Sequence, residues 1–156
     1  MTFIVKSLSI ISLLLAAGQA NAAGSYSFGL GLGTLYSGVG ANVSMLSDVD
    51  MKYLSVGCLS YSTYAGYTCG AGLGWIKTDL FGADSNNHGL GVYLGAVGSE
   101  RTDYNQSEIV NGVGIGYYYF FNGISAGGTN LGIAAVTGNG KYDSGSGLIF
   151  QLGYQF

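Results

Sequence analysis

The sequence predicts an all-β fold, namely a closed, antiparallel, up-and-down transmembrane β-barrel of about eight strands. Apolar residues alternate with small or polar ones along most of the chain, which is typical of strands with one apolar face. Charged residues make up only 8% of the chain, against about 25% in an average soluble domain. Beyond Ala22, no apolar run reaches the roughly 20 residues of a transmembrane helix. A secreted, charge-poor chain of this kind crosses a bilayer by closing a barrel.

The first 22 residues have the layout of a cleaved secretory signal peptide. Lys6 supplies a positive charge, residues 8–17 form a short apolar run, and Ala20-Asn21-Ala22 fits the small-x-small cleavage pattern. An N-terminal membrane anchor is the alternative, but the run is shorter than the roughly 20 apolar residues that a spanning helix needs. We therefore expect a signal peptide at 1–22 and a single barrel domain at 23–156.

The rest of the chain divides into eight strand-like segments. Transmembrane strands need about 9–11 residues, and an even number of strands returns the chain to the side on which it began. This count places the long connection 78–88 on the same side as both termini, where turns are usually short. The predicted segments are 24–36, 38–46, 51–62, 65–77, 89–99, 108–121, 126–137 and 147–156.

One face of these segments is apolar, and the other consists of glycine and small polar residues. The charged residues beyond Lys6 fall at segment ends or in connections, so neither face carries a charge in mid-strand. Because a soluble barrel would place charges along its outer face, we expect the apolar face to contact lipid and the small face to line the lumen. The predicted apolar face includes Tyr26, Phe28, Leu30 and Leu32 in the first segment, and Leu90, Val92, Leu94 and Ala96 in the fifth.

Aromatic residues are predicted to take two positions. Eight strands enclose a space just wide enough for side chains to fill, so inward-pointing rings would occupy the room that glycine leaves. This position is predicted for Tyr53, Tyr93, Tyr118 and Phe120. Other aromatic residues lie near segment ends, where they form girdles at the two membrane surfaces. The predicted girdle residues are Tyr36, Trp75, Phe121, Tyr154 and Phe156.

The last segment has a large apolar or aromatic residue at every second position and finishes on an aromatic one. This pattern resembles the closing strand of Gram-negative outer-membrane β-barrel proteins, which typically ends in Phe. The resemblance implies an outer-membrane location, contact with membrane lipid and lipopolysaccharide, and recognition by the barrel-assembly machinery during insertion. The residues of this C-terminal assembly signal would be Leu148, Phe150, Leu152, Tyr154 and Phe156.

The two cysteines fall in neighbouring segments. A hairpin with a two- or four-residue loop around Thr63-Tyr64 places Cys58 directly opposite Cys69. Such a pair lies within reach of disulfide geometry, and the periplasm is oxidising. Two free thiols remain the alternative, because the sequence does not decide which face of the third segment points outward.

Candidate catalytic chemistry is confined to one short connection. His88 is the only histidine, and with Asp84 and Ser85 it supplies the residue types of a hydrolytic triad. Outer-membrane lipid A deacylases have His and Ser two residues apart, whereas here Leu90 occupies that position. A hydrophilic turn is the simpler explanation, so no catalytic residue is assigned. No metal or cofactor site is predicted, and the excess of acidic residues argues against nucleic-acid binding.

Together these observations predict an integral outer-membrane barrel with a structural or surface-interaction role in the cell envelope. Its lumen is expected to be too narrow for a general pore. Two alternatives stay open, namely a lipid A-modifying enzyme of the deacylase or acyltransferase type, and a binder or conduit for a small apolar ligand. The sequence does not indicate a substrate, a partner protein or an oligomeric state.

Overall fold

The computed structural model describes residues 25–63, 66–82, 86–101, 107–141 and 144–156. They form a closed barrel in which each strand pairs with its sequence neighbours and the last strand pairs with the first. All eight pairings are antiparallel, which confirms the predicted fold class and strand number. The strands are β1 (Ser25–Gly33), β2 (Gly38–Leu46), β3 (Asp50–Ser62), β4 (Gly66–Lys77), β5 (His88–Arg101), β6 (Ser107–Phe120), β7 (Gly128–Asn139) and β8 (Ser144–Gln155).

Within the described ranges there is no helix with the length and apolar character needed to cross a bilayer. The helical segments of the described residues are two short 3-10 turns, Thr34–Tyr36 between β1 and β2 and Asp79–Phe81 between β4 and β5.

The first turn corrects one prediction. The first strand ends at Gly33, not at Tyr36, and the chain then folds into the barrel as a 3-10 turn. Positive φ angles at Gly33 (106°), Ser37 (52°) and Gly38 (103°) produce this reversal, and glycine adopts such angles without a steric penalty. Tyr36 is therefore completely buried, and its predicted place in an outer girdle is wrong. We call Thr34–Ser37 the inward turn.

A second correction concerns β5. The register with β6 shifts between Ala96 and Gly98, and a bulge of this kind adds one residue to one strand. Around this shift, from Ala96 onward, the side chains no longer follow the alternation of the first half of the strand. Ala96 is only 2% exposed, so its predicted position on the apolar outer face is wrong.

The two ends of the barrel differ in their connections. The end that carries Ser25 and Gln155, here called the terminal end, has connections at 47–49, 78–87 and 121–127. The opposite end, here called the hairpin end, has connections at 34–37, 63–65, 102–106 and 140–143. The long connection after β4 thus lies on the side of the termini, as the strand count predicted. The pairing of β4 with β5 ends at Gly72 and Gly95. Toward the hairpin end, the β3–β4 and β5–β6 hairpins extend beyond this pair as separate two-stranded ribbons.

Most side chains occupy the face of the barrel that the periodicity predicted, with the large apolar ones outside and the small or polar ones inside. Leu54 and Val56 point outward and Tyr53 inward, which settles the facing of β3. The four predicted inward rings, Tyr53, Tyr93, Tyr118 and Phe120, are all buried and belong to one cluster. Large apolar side chains are exposed on every one of the eight strands.

Candidate functional site

The lumen is filled by tyrosine rings that lie against glycines of the wall. A Cβ atom added at Gly72 would overlap the ring of Tyr93, and one added at Gly74 would overlap that of Tyr53. The rings of Tyr118 and Tyr36 occupy the equivalent space over other wall glycines, including Gly116 and Gly153 respectively. The glycine-rich inner face is therefore a set of sockets for aromatic rings, as the sequence predicted, and a small apolar ligand would compete with these rings for the same space.

The inward turn closes the hairpin end of this packed interior. The main-chain N–H of Leu35 donates to Gln151 Oε1 at 3.0 Å, and Asn42 Nδ2 donates to the carbonyl oxygen of Leu35 at 3.1 Å. Thr34 Oγ1 and Tyr118 Oη are 3.0 Å apart. Because these partners come from β2, β6 and β8, the turn is tied to strands on several sides of the barrel.

The second half of the inward turn is held in the same way. Asn130 Nδ2 donates to Tyr36 Oη at 3.0 Å, and Ser37 Oγ lies 2.7 Å from Ser55 Oγ and 3.0 Å from Tyr93 Oη. The buried polar side chains of the described residues are all uncharged Ser, Thr, Asn or Gln. Buried groups of this type are stable when they are hydrogen-bonded to one another.

The terminal end of the lumen contains a group of buried apolar side chains beside buried polar ones on β1, β2 and β8. Leu46, Met51, Ile76, Phe120 and Ile124 are buried there in one cluster with the tyrosines. Ile124 belongs to the connection 121–127, so this connection contributes to the floor of the barrel. The polar network and this apolar cluster together leave the described interior occupied by side chains over its length.

The outer wall carries the residues predicted as the C-terminal assembly signal. All five point outward, with exposures from 48% for Leu152 to 70% for Phe150. Phe156 is tied to β1, since its N–H donates to the carbonyl oxygen of Phe28 at 2.7 Å. Ser27 Oγ donates to the main-chain oxygen of Phe156 at 2.6 Å. The apolar stripe of β8 is thus continuous with that of β1.

The predicted disulfide is present. Cys58 and Cys69 are directly paired across β3 and β4 and are bonded, with 3.8 Å between their Cα atoms. Cys58 is also opposite Val39, in the last pair between β2 and β3. Beyond this point the register shifts, so Ser60 pairs with Thr68 and the simple two- or four-residue loop is not formed. The disulfide therefore fastens the hairpin at the level where β3 leaves β2.

His88 is the first residue of β5 and lies among aromatic residues at the terminal end. Its Nδ1 atom is 2.5 Å from Tyr117 Oη, and its ring meets that of Tyr119 edge-on with 5.0 Å between centroids. Asp84 and Ser85 lie outside the described residues. Within the described part of the chain, His88 thus pairs with a phenol and with no carboxylate, and no group of three or more His, Cys, Asp or Glu that could hold a metal ion is found.

No family model matches this chain, and neither a curated protein nor a solved structure matches it. Its function is therefore inferred from its own geometry.

Proposed function

We propose that this chain is an integral outer-membrane β-barrel protein of a Gram-negative bacterium, with a structural or surface-interaction role and without a general pore. The single observation that supports this most is the belt of exposed apolar side chains around the barrel. Leu54, Leu73, Val92, Ile115 and Phe150, on five different strands, are each at least half exposed. Soluble monomers rarely expose apolar patches larger than a few hundred Å², whereas hydrocarbon is the natural surrounding of such a belt.

The closed lumen supports the non-conducting part of the proposal. The inward turn and the tyrosine rings occupy the interior, and its buried polar groups are uncharged in the described residues. Water-filled channels have wide, polar interiors and come from barrels with many more strands. An eight-stranded barrel packed in this way acts as a rigid anchor.

The projecting hairpins support a role in surface contact. We place the terminal end in the periplasm and the hairpin end outside the cell, since both termini of bacterial barrels lie on the periplasmic side. The tip of the β3–β4 hairpin then presents Tyr61 and Tyr67, which are 65% and 74% exposed with 4.7 Å between ring centroids. Tyrosine provides a large and rigid contact area at little entropic cost.

Two measurements test this proposal with the full-length chain expressed in a Gram-negative host. The protein is expected in the outer-membrane fraction, with a gel mobility that changes when the folded sample is boiled. Purified protein in a planar bilayer is expected to give no stable conductance steps. Recovery of the processed chain as a soluble monomer without detergent would overturn the membrane assignment, and reproducible conductance steps would overturn the closed lumen alone.

A further inference from the structure

Two lysines flank the one tryptophan of the chain on the outer wall. Lys52 Nζ is 5.7 Å from the centre of the Trp75 ring, and Lys77 Nζ is 5.8 Å from it. Lys52 is directly opposite Trp75 across β3 and β4, and Lys77 follows two residues after Trp75 on β4. Diagonal neighbours of this kind have their Cα atoms about 7–8 Å apart, and the lysine stem is long and flexible, so both ammonium groups can turn toward one small anion.

The arrangement is specific to this place on the barrel. The described residues contain two other basic side chains, Arg101 and Lys141, and both lie at the hairpin end. The two basic residues of the terminal end instead converge on Trp75. Attraction between an ammonium group and the face of an indole ring holds each lysine near the ring while leaving N–H donors for another partner.

The two lysines differ in how far their charge is already compensated. Lys77 Nζ is 3.2 Å from the carboxylate of Asp79. Lys52 makes no ion pair with a carboxylate in the described part of the chain. Asp50 is also directly opposite Lys77 across β3 and β4, so Lys52 is the less compensated of the two cations.

Apolar grooves run along the outer wall from both sides of Trp75. One begins at Lys52 and is lined by Leu54 and Leu73, and continues across β5 and β6. The other begins at Lys77 and passes Leu80 and Leu90 before it reaches Leu148 on β8. Each groove thus has a basic residue near Trp75 and a long apolar floor.

From this geometry we propose a binding site for an anionic glycerophospholipid at Lys52, Trp75 and Lys77, an inference that rests on the membrane location proposed above. The phosphate accepts hydrogen bonds from the two ammonium groups, the glycerol and ester region lies against the indole, and one acyl chain follows each groove. Charge complementarity selects the anionic headgroup, since Lys52 has no protein carboxylate of its own among the described residues. The site would retain phosphatidylglycerol in preference to phosphatidylcholine.

Trp75 makes the test local, because all tryptophan fluorescence of the chain comes from this site. The full chain is reconstituted in mixed bilayers of phosphatidylglycerol and phosphatidylcholine. Two samples are prepared, one with brominated phosphatidylglycerol and one with brominated phosphatidylcholine, because brominated acyl chains quench tryptophan fluorescence. The ratio of the two quenching curves gives the phosphatidylglycerol fraction next to Trp75 relative to the bulk. Each basic residue near a membrane surface adds about fivefold in affinity for anionic lipid, so we expect several-fold enrichment that falls as salt is raised.

The variants separate the site from general surface charge. Lys52→Gln is expected to remove more of the enrichment than Lys77→Gln, because Asp79 already compensates Lys77. Lys141→Gln makes the same change in charge at the hairpin end and is expected to leave the enrichment unchanged. Unboiled gel mobility confirms that each variant is folded.

The outcomes distinguish the two proposals. Equal quenching by both brominated lipids in the wild-type protein, or enrichment that survives Lys52→Gln combined with Lys77→Gln, overturns the lipid site and leaves the membrane barrel intact. Absence of quenching by either lipid, with the emission of a water-exposed indole, overturns the membrane location and the site together. Enrichment that is lost only in the Lys52 and Lys77 variants supports both.

Discussion

Replacing Tyr36 tests whether the inward turn holds the barrel together. Its side chain is completely buried, its ring lies over Gly31 and Gly153, and its hydroxyl receives a hydrogen bond from Asn130 Nδ2. Tyr36→Phe keeps the ring but leaves Asn130, itself fully buried, without this acceptor. An unpaired buried polar group costs about 1–3 kcal/mol. Tyr36→Ala also removes the ring, and truncation of a large buried aromatic costs about 3–5 kcal/mol.

The assay is urea unfolding of the protein in detergent micelles, followed by the mobility of unboiled samples on a gel. The order of stability is expected to be wild type, then Tyr36→Phe, then Tyr36→Ala. Tyr61→Ala is the matched control, because Tyr61 is 65% exposed at a hairpin tip and exposed positions usually change stability by about 0.5 kcal/mol or less. Equal midpoints for Tyr36→Ala and Tyr61→Ala would refute the assignment of Tyr36 to the interior.

Two more predictions concern the wall and the hairpin. Gly72→Val is expected to lower the folded fraction strongly, because the valine side chain would overlap the ring of Tyr93. Gly145→Val is the control, since a Cβ atom at Gly145 meets nothing within 4 Å. Equal folded fractions for the two variants on unboiled gels would contradict the packing of tyrosine rings against wall glycines. Intact mass before and after reduction is expected to differ by the two thiol hydrogens of Cys58 and Cys69, and joint replacement of these cysteines by serine is expected to increase protease cleavage in the β3–β4 hairpin alone. Cleavage spread over the whole barrel would show that the disulfide has a global role instead.

Alternation of side chains was enough to predict the barrel wall. A strand with one apolar face has a period of two, so the outward position of Leu54 or Phe150 follows from its neighbours once the apolar face is assigned to the outside of the barrel. The disulfide was predicted from a two- or four-residue loop that is not formed. The register shift between Cys58 and Ser60 offsets the different loop and restores the predicted pairing of Cys58 with Cys69.

The inward turn, the β5 bulge and the lysine pair could not be predicted from the alternation of side chains. In the inward turn, Leu35 and Tyr36 are as apolar as strand residues, and the signal that separates them from β1 is the glycines on either side, Gly33 and Gly38. The bulge beside Ala96 adds one residue without a distinctive residue type, so the reversal of facing after it has no signature. Lys52 lies beside Trp75 because of the register between β3 and β4. The alternation of side chains predicts which face a residue occupies but not its cross-strand partner.

The seam between β1 and β8 has the shortest ladder of the barrel, with Gly29–Leu32 paired to Leu152–Gln155. Gln155 passes over this seam, since its Nε2 atom donates to Asn42 Oδ1 at 3.0 Å on the far side of β1. The amide can cross because Gly29 has no side chain in its path. The side chain of Gln155 therefore reinforces a short main-chain ladder, and a methyl group at Gly29 would displace its amide while leaving that ladder paired.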